Sequence, residues 1–314
     1  MAPDFMAIVG PTASGKTGLS LRIGGALEAE IISMDSRQIY RGMDIGTGKL
    51  TLRERGLIPH HGLDIRNPDE RYSAGQFARD ARGWIQDIRA RGRVPLLVGG
   101  TGFFLKALTH PMFREPELDR DRLERLRGFL NELPQDRLDT FVAVLDSDRS
   151  HAGKEGRQRA TRTAEVALLT GKPLSWWHKE SEPEEAPLAG FIVILDPPRE
   201  ALYEKINGRV GLMVEEGLAD EVEGLLLDGY GPEDPGMTGA GYREMVRHLS
   251  GELTLEEATE EIRRSHRKYA RRQSTWFRHQ LPSGCLTVED LEVRDETADQ
   301  VLAAWTAAEE NDAA

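Results

Sequence analysis

GPTASGKT, Gly10–Thr17, follows the apolar run FMAIV, Phe5–Val9. The eight residues satisfy G-x-x-x-x-G-K-[ST], a loop whose backbone N–H groups cradle phosphate oxygens. Context strengthens the match, because a buried strand is expected over 5–9 and a helix over 15–27. The helix N-terminus favours an anion, Lys16 adds a point charge, and the Thr17 hydroxyl is a candidate Mg²⁺ ligand. A strand–loop–helix start of this kind belongs to an α/β fold built on a parallel sheet.

The rest of the chain repeats that alternation and then leaves it. A second strand is expected over EIISMDS, Glu30–Ser36, and a third over RVPLLVGGTG, Arg93–Gly102. Between them, Phe77, Ala81, Trp84, Ile85 and Ile88 recur at helical spacing behind Ser73, a good N-cap. Beyond Pro111 the pattern becomes charged and helical until FIVILDPPRE, from Phe191, restores a β-branched strand. Residues 199–227 are helical in pattern, with Leu202, Ile206, Val210, Met213 and Leu218 near one face. The expected architecture is a P-loop-type parallel sheet flanked by helices. It assigns 1–111 and 190–314 to the core with C-terminal helices, and 112–189 to a helical insertion.

Two strand ends carry candidate chemistry. In open α/β sheets the ligand crevice lies at the carboxyl edge. Asp35 sits there as a Mg²⁺ ligand, a general base or simply an N-cap. The third strand ends in Gly99-Gly100-Thr101-Gly102, where a P-loop nucleotidase would place an acid for Mg²⁺ and water. The glycines admit close approach, and Thr101 offers a hydroxyl. The adjacent His60 and His61 point apart on any regular element, so they are read as structural rather than metal-binding.

Charge is distributed unevenly. The 314 residues carry a net charge of −12, with 39% hydrophobic and 30% charged residues, a soluble globular composition. A single cysteine, Cys285, excludes an internal disulfide and a cysteine-based zinc cluster. No apolar run approaches the ~20 residues of a membrane span, and a loop starting at residue 10 leaves no room for a signal peptide. A cytoplasmic protein is expected. Glu289–Asp312 holds nine acids and one base and reads as a solvated or frayed tail. Arg263–Arg278 holds seven Lys or Arg and no acid. On a helical wheel Leu255, Ala258, Ile262, Tyr269 and Trp276 form a narrow stripe, with Arg263, Arg264, Arg267, Lys268, Arg271 and Arg272 opposite. Glu260 is placed to pair with Arg264, but Arg267, Lys268, Arg271 and Arg272 have only cations four residues before them. Such a face suits an anionic partner, a phosphate backbone above all. A second basic run, GRQRATRTAEV, adds Arg157, Arg159 and Arg162.

Taken in order, the motifs resemble those of the tRNA dimethylallyltransferases. They are GPTASGKT, DSRQIY (35–40), GTGK (46–49), HHGLDI (60–65), YSAGQFARDA (72–81), GGTGFFLKAL (99–108), GRQRATRTAEVALLTGKPLS (156–175), GAGYRE (239–244) and YARRQSTWFR (269–278). The resemblance covers about residues 5 to 280. It implies transfer of a five-carbon group from dimethylallyl diphosphate to N6 of the adenosine immediately 3′ of the anticodon in tRNA. The loop would then hold the donor's diphosphate rather than a nucleotide.

The same resemblance implies the roles. Asp35 would take the amine proton, and Thr101 would hydrogen-bond near the bridging oxygen of the leaving diphosphate. Gly10, Pro11, Thr12, Ala13, Ser14, Gly15, Lys16 and Thr17 would bind the diphosphate, with Mg²⁺ on Thr17 and with Arg209. Asp35, Ser36, Arg37, Gln38 and Thr101 would face tRNA, as would Arg120 and Gln158, Arg159, Ala160, Thr161 and Arg162. Gly241, Tyr242 and Arg243 would join them, with Arg271, Arg272, Gln273, Trp276 and Arg278. The partners implied are the tRNA anticodon arm and dimethylallyl diphosphate, with no membrane and a monomeric enzyme. A P-loop small-molecule kinase, a prenyltransferase acting on free adenylate and a non-catalytic RNA-binding protein are the competing readings.

Overall fold

The computed structural model describes residues 2–310 apart from 111, 112, 115, 154, 155, 184, 283 and 291–293. The expected boundary at 111/112 therefore lies outside the described residues, as do the end of the acidic tail at 311–312 and its residues 291–293. Contacts divide the chain into one unit of 1–109 with 188–314 and a second of 110–187.

The first unit is built on β1 (Phe5–Val9), β2 (Ala29–Ser33), β3 (His60–His61), β4 (Val94–Gly99), β5 (Gly190–Leu195) and β6 (Leu286–Val288). They form one all-parallel sheet in the order β3-β2-β4-β1-β5-β6. Every residue of β1 is buried, as expected of a central strand covered on both faces. Around it Met6, Ile8, Leu19, Ile23, Leu96, Val193 and Leu195 form the main core. This order sets the carboxyl ends of β2, β4 and β1 side by side, so Asp35, Thr101 and the loop after β1 share one edge.

Helix α1 (Lys16–Ala26) follows the loop, and α2 (Leu52–Arg55) is a single capped turn. Helix α3 (Ala74–Ala90) starts where expected. Ser73 Oγ accepts from the Gln76 N–H at 3.1 Å, while Gln76 Oε1 accepts from the Ser73 N–H at 2.8 Å, a reciprocal capping box. Helix α4 (Gly102–Thr109) leaves the Thr101 turn. His60 and His61 lie on β3, His61 Nε2 meeting buried Glu30 at 2.7 Å.

The second unit holds α5 (Arg120–Glu132), α6 (Gln135–Leu145), α7 (Arg157–Thr170) and α8 (Leu174–Glu180). Leu130, Leu138, Val142, Ala152, Ala160 and Ala164 form its own small core.

The chain then returns to the first unit with α9 (Arg199–Glu215), α10 (Leu218–Leu227), α11 (Tyr242–Leu249), α12 (Leu255–Gln280) and α13 (Asp295–Glu310). One expectation changes here and two details are added. The helical stretch over 199–227 is divided into two helices after Glu215. The strand β6 is three residues long and too short to stand out in the sequence. The acidic terminus is not a frayed tail within its described part. Thr297 with Ala298, then Val301 and Trp305, fall on one side of α13 and are buried, Trp305 edge-on to Phe191 at 5.7 Å between ring centroids. The acids occupy the solvent side, so their count concealed an apolar stripe.

Candidate functional site

The loop takes its shape from its own backbone. Ala13 adopts φ 64 and Gly15 φ 93. A left-handed residue other than glycine is uncommon and mildly strained, and within the loop the Ser14 N–H donates to the Pro11 carbonyl at 3.3 Å. Gly15 is the N-cap of α1 and has no side chain to satisfy the helix's first N–H groups, which leaves them open to an anion. The Lys16 ammonium donates to the carbonyls of Gly10 at 3.0 Å and Pro11 at 2.6 Å. Burial pushes its pKa down to about 7, opposed by Asp35 and aided by Arg209. An anion in the loop would restore its full charge. Ser14 Oγ is buried without a hydrogen-bond partner.

Arg209, from α9, supplies a second cation. Its guanidinium donates to Thr12 Oγ1 at 3.4 Å and to the carbonyls of Thr47 and Gly48 at 3.4 and 3.2 Å. Burial lowers its pKa from the ordinary arginine value, and Asp35 opposes that. The 44–48 segment that seats it hangs on Glu221, whose carboxylate accepts from the N–H groups of Asp44, Ile45 and Gly46 and from the Tyr242 hydroxyl. Nothing local marked Glu221, since a glutamate on an amphipathic helix reads as solvent-facing.

Asp35 and Thr101 meet across the edge. One Asp35 oxygen accepts from the Arg37 N–H at 2.8 Å. The Thr101 hydroxyl accepts from the Ser36 N–H at 3.1 Å, and the Thr101 N–H donates to the Met34 carbonyl at 3.3 Å. Tyr269 completes this corner. Its hydroxyl hydrogen-bonds Thr101, and burial together with the Asp35 charge pushes its pKa up to about 12. Sequence periodicity had assigned Tyr269 to a packing stripe. One half-buried carboxylate, one threonine hydroxyl and two half-buried cations thus converge beside the loop that follows β1. That set suits displacement of a diphosphate with proton transfer to a carboxylate.

The family model for IPP transferase matches residues 38–280. The chain belongs to the IPP transferase family. The tRNA dimethylallyltransferase of Syntrophobacter fumaroxidans is 44% identical over 275 residues, 86% of this chain and 80% of that protein. The one from Macrococcus caseolyticus is 38% identical over 299 residues, 95% and 93% of the two chains. The full-length tRNA isopentenylpyrophosphate transferase of Bacillus halodurans matches with a TM-score of 0.70 and 34% identity, covering 98% of this chain and 97% of that one. A eukaryotic dimethylallyltransferase acting on tRNA matches with a TM-score of 0.78 and 26% identity, covering 96% and 77%.

The residues that the family resemblance and the basic runs directed toward tRNA fall into two groups. Lys268 and Arg271 project from α12, exposed and without a described partner. Arg272, also exposed, lies over the Tyr269 ring, 5.7 Å from its centroid. Arg243 is exposed beside Glu244, and Arg278 pairs with Asp196 at 2.9 Å. Arg37 reaches the carbonyls of Pro235 and Gly236 at 2.5 and 3.4 Å, and Gln38 the carbonyls of Thr47 and Gly48 at 3.4 and 3.3 Å. In the second unit, Arg120, Gln158 and Arg159 are exposed and Thr161 and Arg162 half-buried.

The other group is interior. Ala160 is fully buried in the core of the helical unit. Tyr242 is 1% exposed with its hydroxyl on Glu221, and the Gly241 N–H donates to Glu244 at 2.8 Å. Gln273 is 6% exposed. Trp276 is half-buried against Gly102, where a Cβ would fall 2.1 Å from its ring. Arg157 does not face outward either, donating to the carbonyls of Leu130, Asn131 and Leu133 at 2.7, 2.9 and 2.7 Å at the C-terminus of α5.

The pairing pattern on α12 also differs from the helical-wheel reading. Glu260 pairs with Arg263 at 3.5 Å and Arg267 at 3.0 Å, not with Arg264. The buried stripe is Ala258, Ile262, Ala270, Gln273 and Phe277, while Leu255 is 37% exposed.

Proposed function

We propose that this chain is a tRNA dimethylallyltransferase that moves the dimethylallyl group of dimethylallyl diphosphate to N6 of the adenosine immediately 3′ of the anticodon. The observation that carries this is the shared edge of β1, β2 and β4. The phosphate loop is completed by Arg209, and its neighbour strands present Asp35 and Thr101 rather than a water-activating acid. In the reaction, the N6 lone pair forms a bond to the allylic carbon as the carbon–oxygen bond to diphosphate breaks. The N6 proton passes to Asp35, and diphosphate leaves with the bonding electrons. The amine's lone pair is delocalised into the ring, so a base and a stabilised leaving group are both needed. Thr101 is oriented toward that leaving oxygen by Ser36 and Tyr269. An anticodon loop yields its base from the stack more readily than a duplex.

The residues present fit a Mg²⁺ ion held largely by phosphate oxygens. The Thr17 hydroxyl is exposed on the first turn of α1, and Ser14 Oγ lies buried without a partner in the same loop. Bound there, the ion would neutralise charge on the departing diphosphate. The exposed cations of α12 and of the helical unit, Lys268, Arg271, Arg120 and Arg159 among them, support an RNA partner despite the net negative charge. Among the described residues no helix is long and apolar enough to cross a membrane.

The test is diphosphate release. Release should require dimethylallyl diphosphate and tRNA together, and ATP should neither replace the donor nor compete well. ATP hydrolysis stimulated by tRNA would instead make this a phosphoryl-transfer protein.

A further inference from the structure

The glycine turn after β4 is approached closely, and the group that approaches is a side chain of α12. A Cβ at position 100 would fall 2.1 Å from Gln273 Nε2. That amide nitrogen donates to the Gly100 carbonyl at 2.9 Å, and Gln273 Oε1 accepts from the Thr12 N–H at 2.9 Å. One buried side chain thus bridges the phosphate loop and the turn that carries Thr101, two segments some ninety residues apart in sequence. One turn before it and just behind it on the same helix, the exposed Lys268 and Arg271 face solvent. Both ends of the amide are satisfied, and the site is nearly closed to water. Moving either segment away would leave a buried polar group unpaired, which costs more than the bond contributes.

We propose that Gln273 is a positioning residue through which α12 sets the geometry of the diphosphate loop and the Thr101 turn. RNA held on the outward face of the helix and diphosphate held in the loop then strengthen one another's binding. This rests on the transferase reading above. The RNA fixes α12, and α12 fixes Thr12 and Gly100 through the amide. Linkage requires the effect to be reciprocal.

Inorganic diphosphate with Mg²⁺ is the probe, since it cannot react, and its binding is measured by calorimetry with and without saturating tRNA. For the wild type, tRNA should raise diphosphate affinity by about 5-fold or more, within the usual span of allosteric coupling. Gln273→Ala should weaken diphosphate binding to the free protein by about tenfold, roughly the worth of one lost hydrogen bond. It should also bring the tRNA enhancement close to one. Affinity for tRNA without diphosphate should stay near wild type.

Gln273→Glu is nearly isosteric and carries the test if the alanine variant does not fold. Its ionised carboxylate still accepts from Thr12 but opposes the Gly100 carbonyl. Burial against a carbonyl raises a carboxyl's pKa, and the protonated form can donate again. Its diphosphate affinity relative to wild type should therefore recover as pH falls from about 8 to about 6, whereas that of Gln273→Ala should not. A residue that only packs the helix would show no such recovery. Folded variants that bind diphosphate as wild type does, or a wild type whose diphosphate affinity ignores tRNA, would overturn the proposal. A wild type that binds no tRNA at all would remove the transferase reading with it; one that binds both ligands without coupling would leave that reading standing and remove this inference alone.

Discussion

The loop after β1 and the outward face of α12 are both suited to phosphate, but by opposite physical means. In the loop the donors are backbone N–H groups on a strained turn, joined by Lys16 and Arg209, whose pKa values burial lowers. On α12 the donors are long, exposed side chains, Lys268 and Arg271, standing in water. Charges in a buried site interact strongly and are poorly screened, whereas exposed cations act through counterion release and weaken as salt rises. The contrast predicts a site that is strong, shaped and chemically committed beside a surface that is additive and salt-sensitive. Substitutions at the two should therefore fail differently.

The largest effect should come from the committed side. Asp35→Ala should lower turnover by ~10²-fold or more, the usual weight of a positioned base, while dimethylallyl diphosphate binding stays near wild type. Single-turnover kinetics with pre-bound donor measures this directly, and near-normal turnover would remove Asp35 as the base. Next, Lys16→Ala should weaken donor binding by roughly tenfold or more, the cost of removing a charged partner from a buried anion. Calorimetry with the donor alone reads it, and tRNA affinity should be left unchanged.

The surface should respond in smaller, countable steps. Lys268→Ala/Arg271→Ala should reduce the slope of log tRNA affinity against log salt by about 0.7–0.9 per cation removed, with donor affinity unaltered. These two are preferred to Arg267, which Glu260 and Asn207 already engage, and to Arg272 over its tyrosine ring. An unchanged slope in a folded variant would return α12 to a merely solvated face.

The smallest effect concerns the inner side of the same helix. Burial, aided by the Arg209 charge, holds the His266 imidazole below its ordinary pKa. Its unfolded form therefore takes up a proton before the folded form does. Its contribution to stability is present above the unfolded pKa of about 6.5 and is lost as pH falls toward the folded value. Urea unfolding of wild type and His266→Gln between about pH 7 and 5 should show a shallower acid loss for the variant.

How much of this was legible in the sequence follows from how local each signal is. The strand–loop–helix start, β1, β2, β4 and the Ser73 cap are written in adjacent residues, and these elements stand to within a few residues of expectation. Asp35 and Thr101 were legible as strand ends, because strand order in a parallel sheet fixes which ends share a crevice. What was illegible depends on partners far along the chain. Gln273 lies among cations in YARRQSTWFR and reads as one more polar contact, yet its amide is spent on Thr12 and Gly100. Tyr242 stands beside the exposed Arg243 and Ala160 beside the exposed Arg159, and only packing shows that they are buried. The acidic terminus misled for a related reason. Composition averages over a helix, while burial of Val301 and Trp305 depends on phase.

The account rests most directly on what becomes of the tRNA. Purified protein is incubated with Mg²⁺, dimethylallyl diphosphate and unmodified tRNA, and the RNA is then digested and its nucleosides analysed by mass spectrometry with the modified position mapped. The account predicts one five-carbon substituent on N6 of the adenosine immediately 3′ of the anticodon, formed in equal amount with released diphosphate and lost in Asp35→Ala. An unmodified adenosine at that position, with donor bound and tRNA bound, would contradict it.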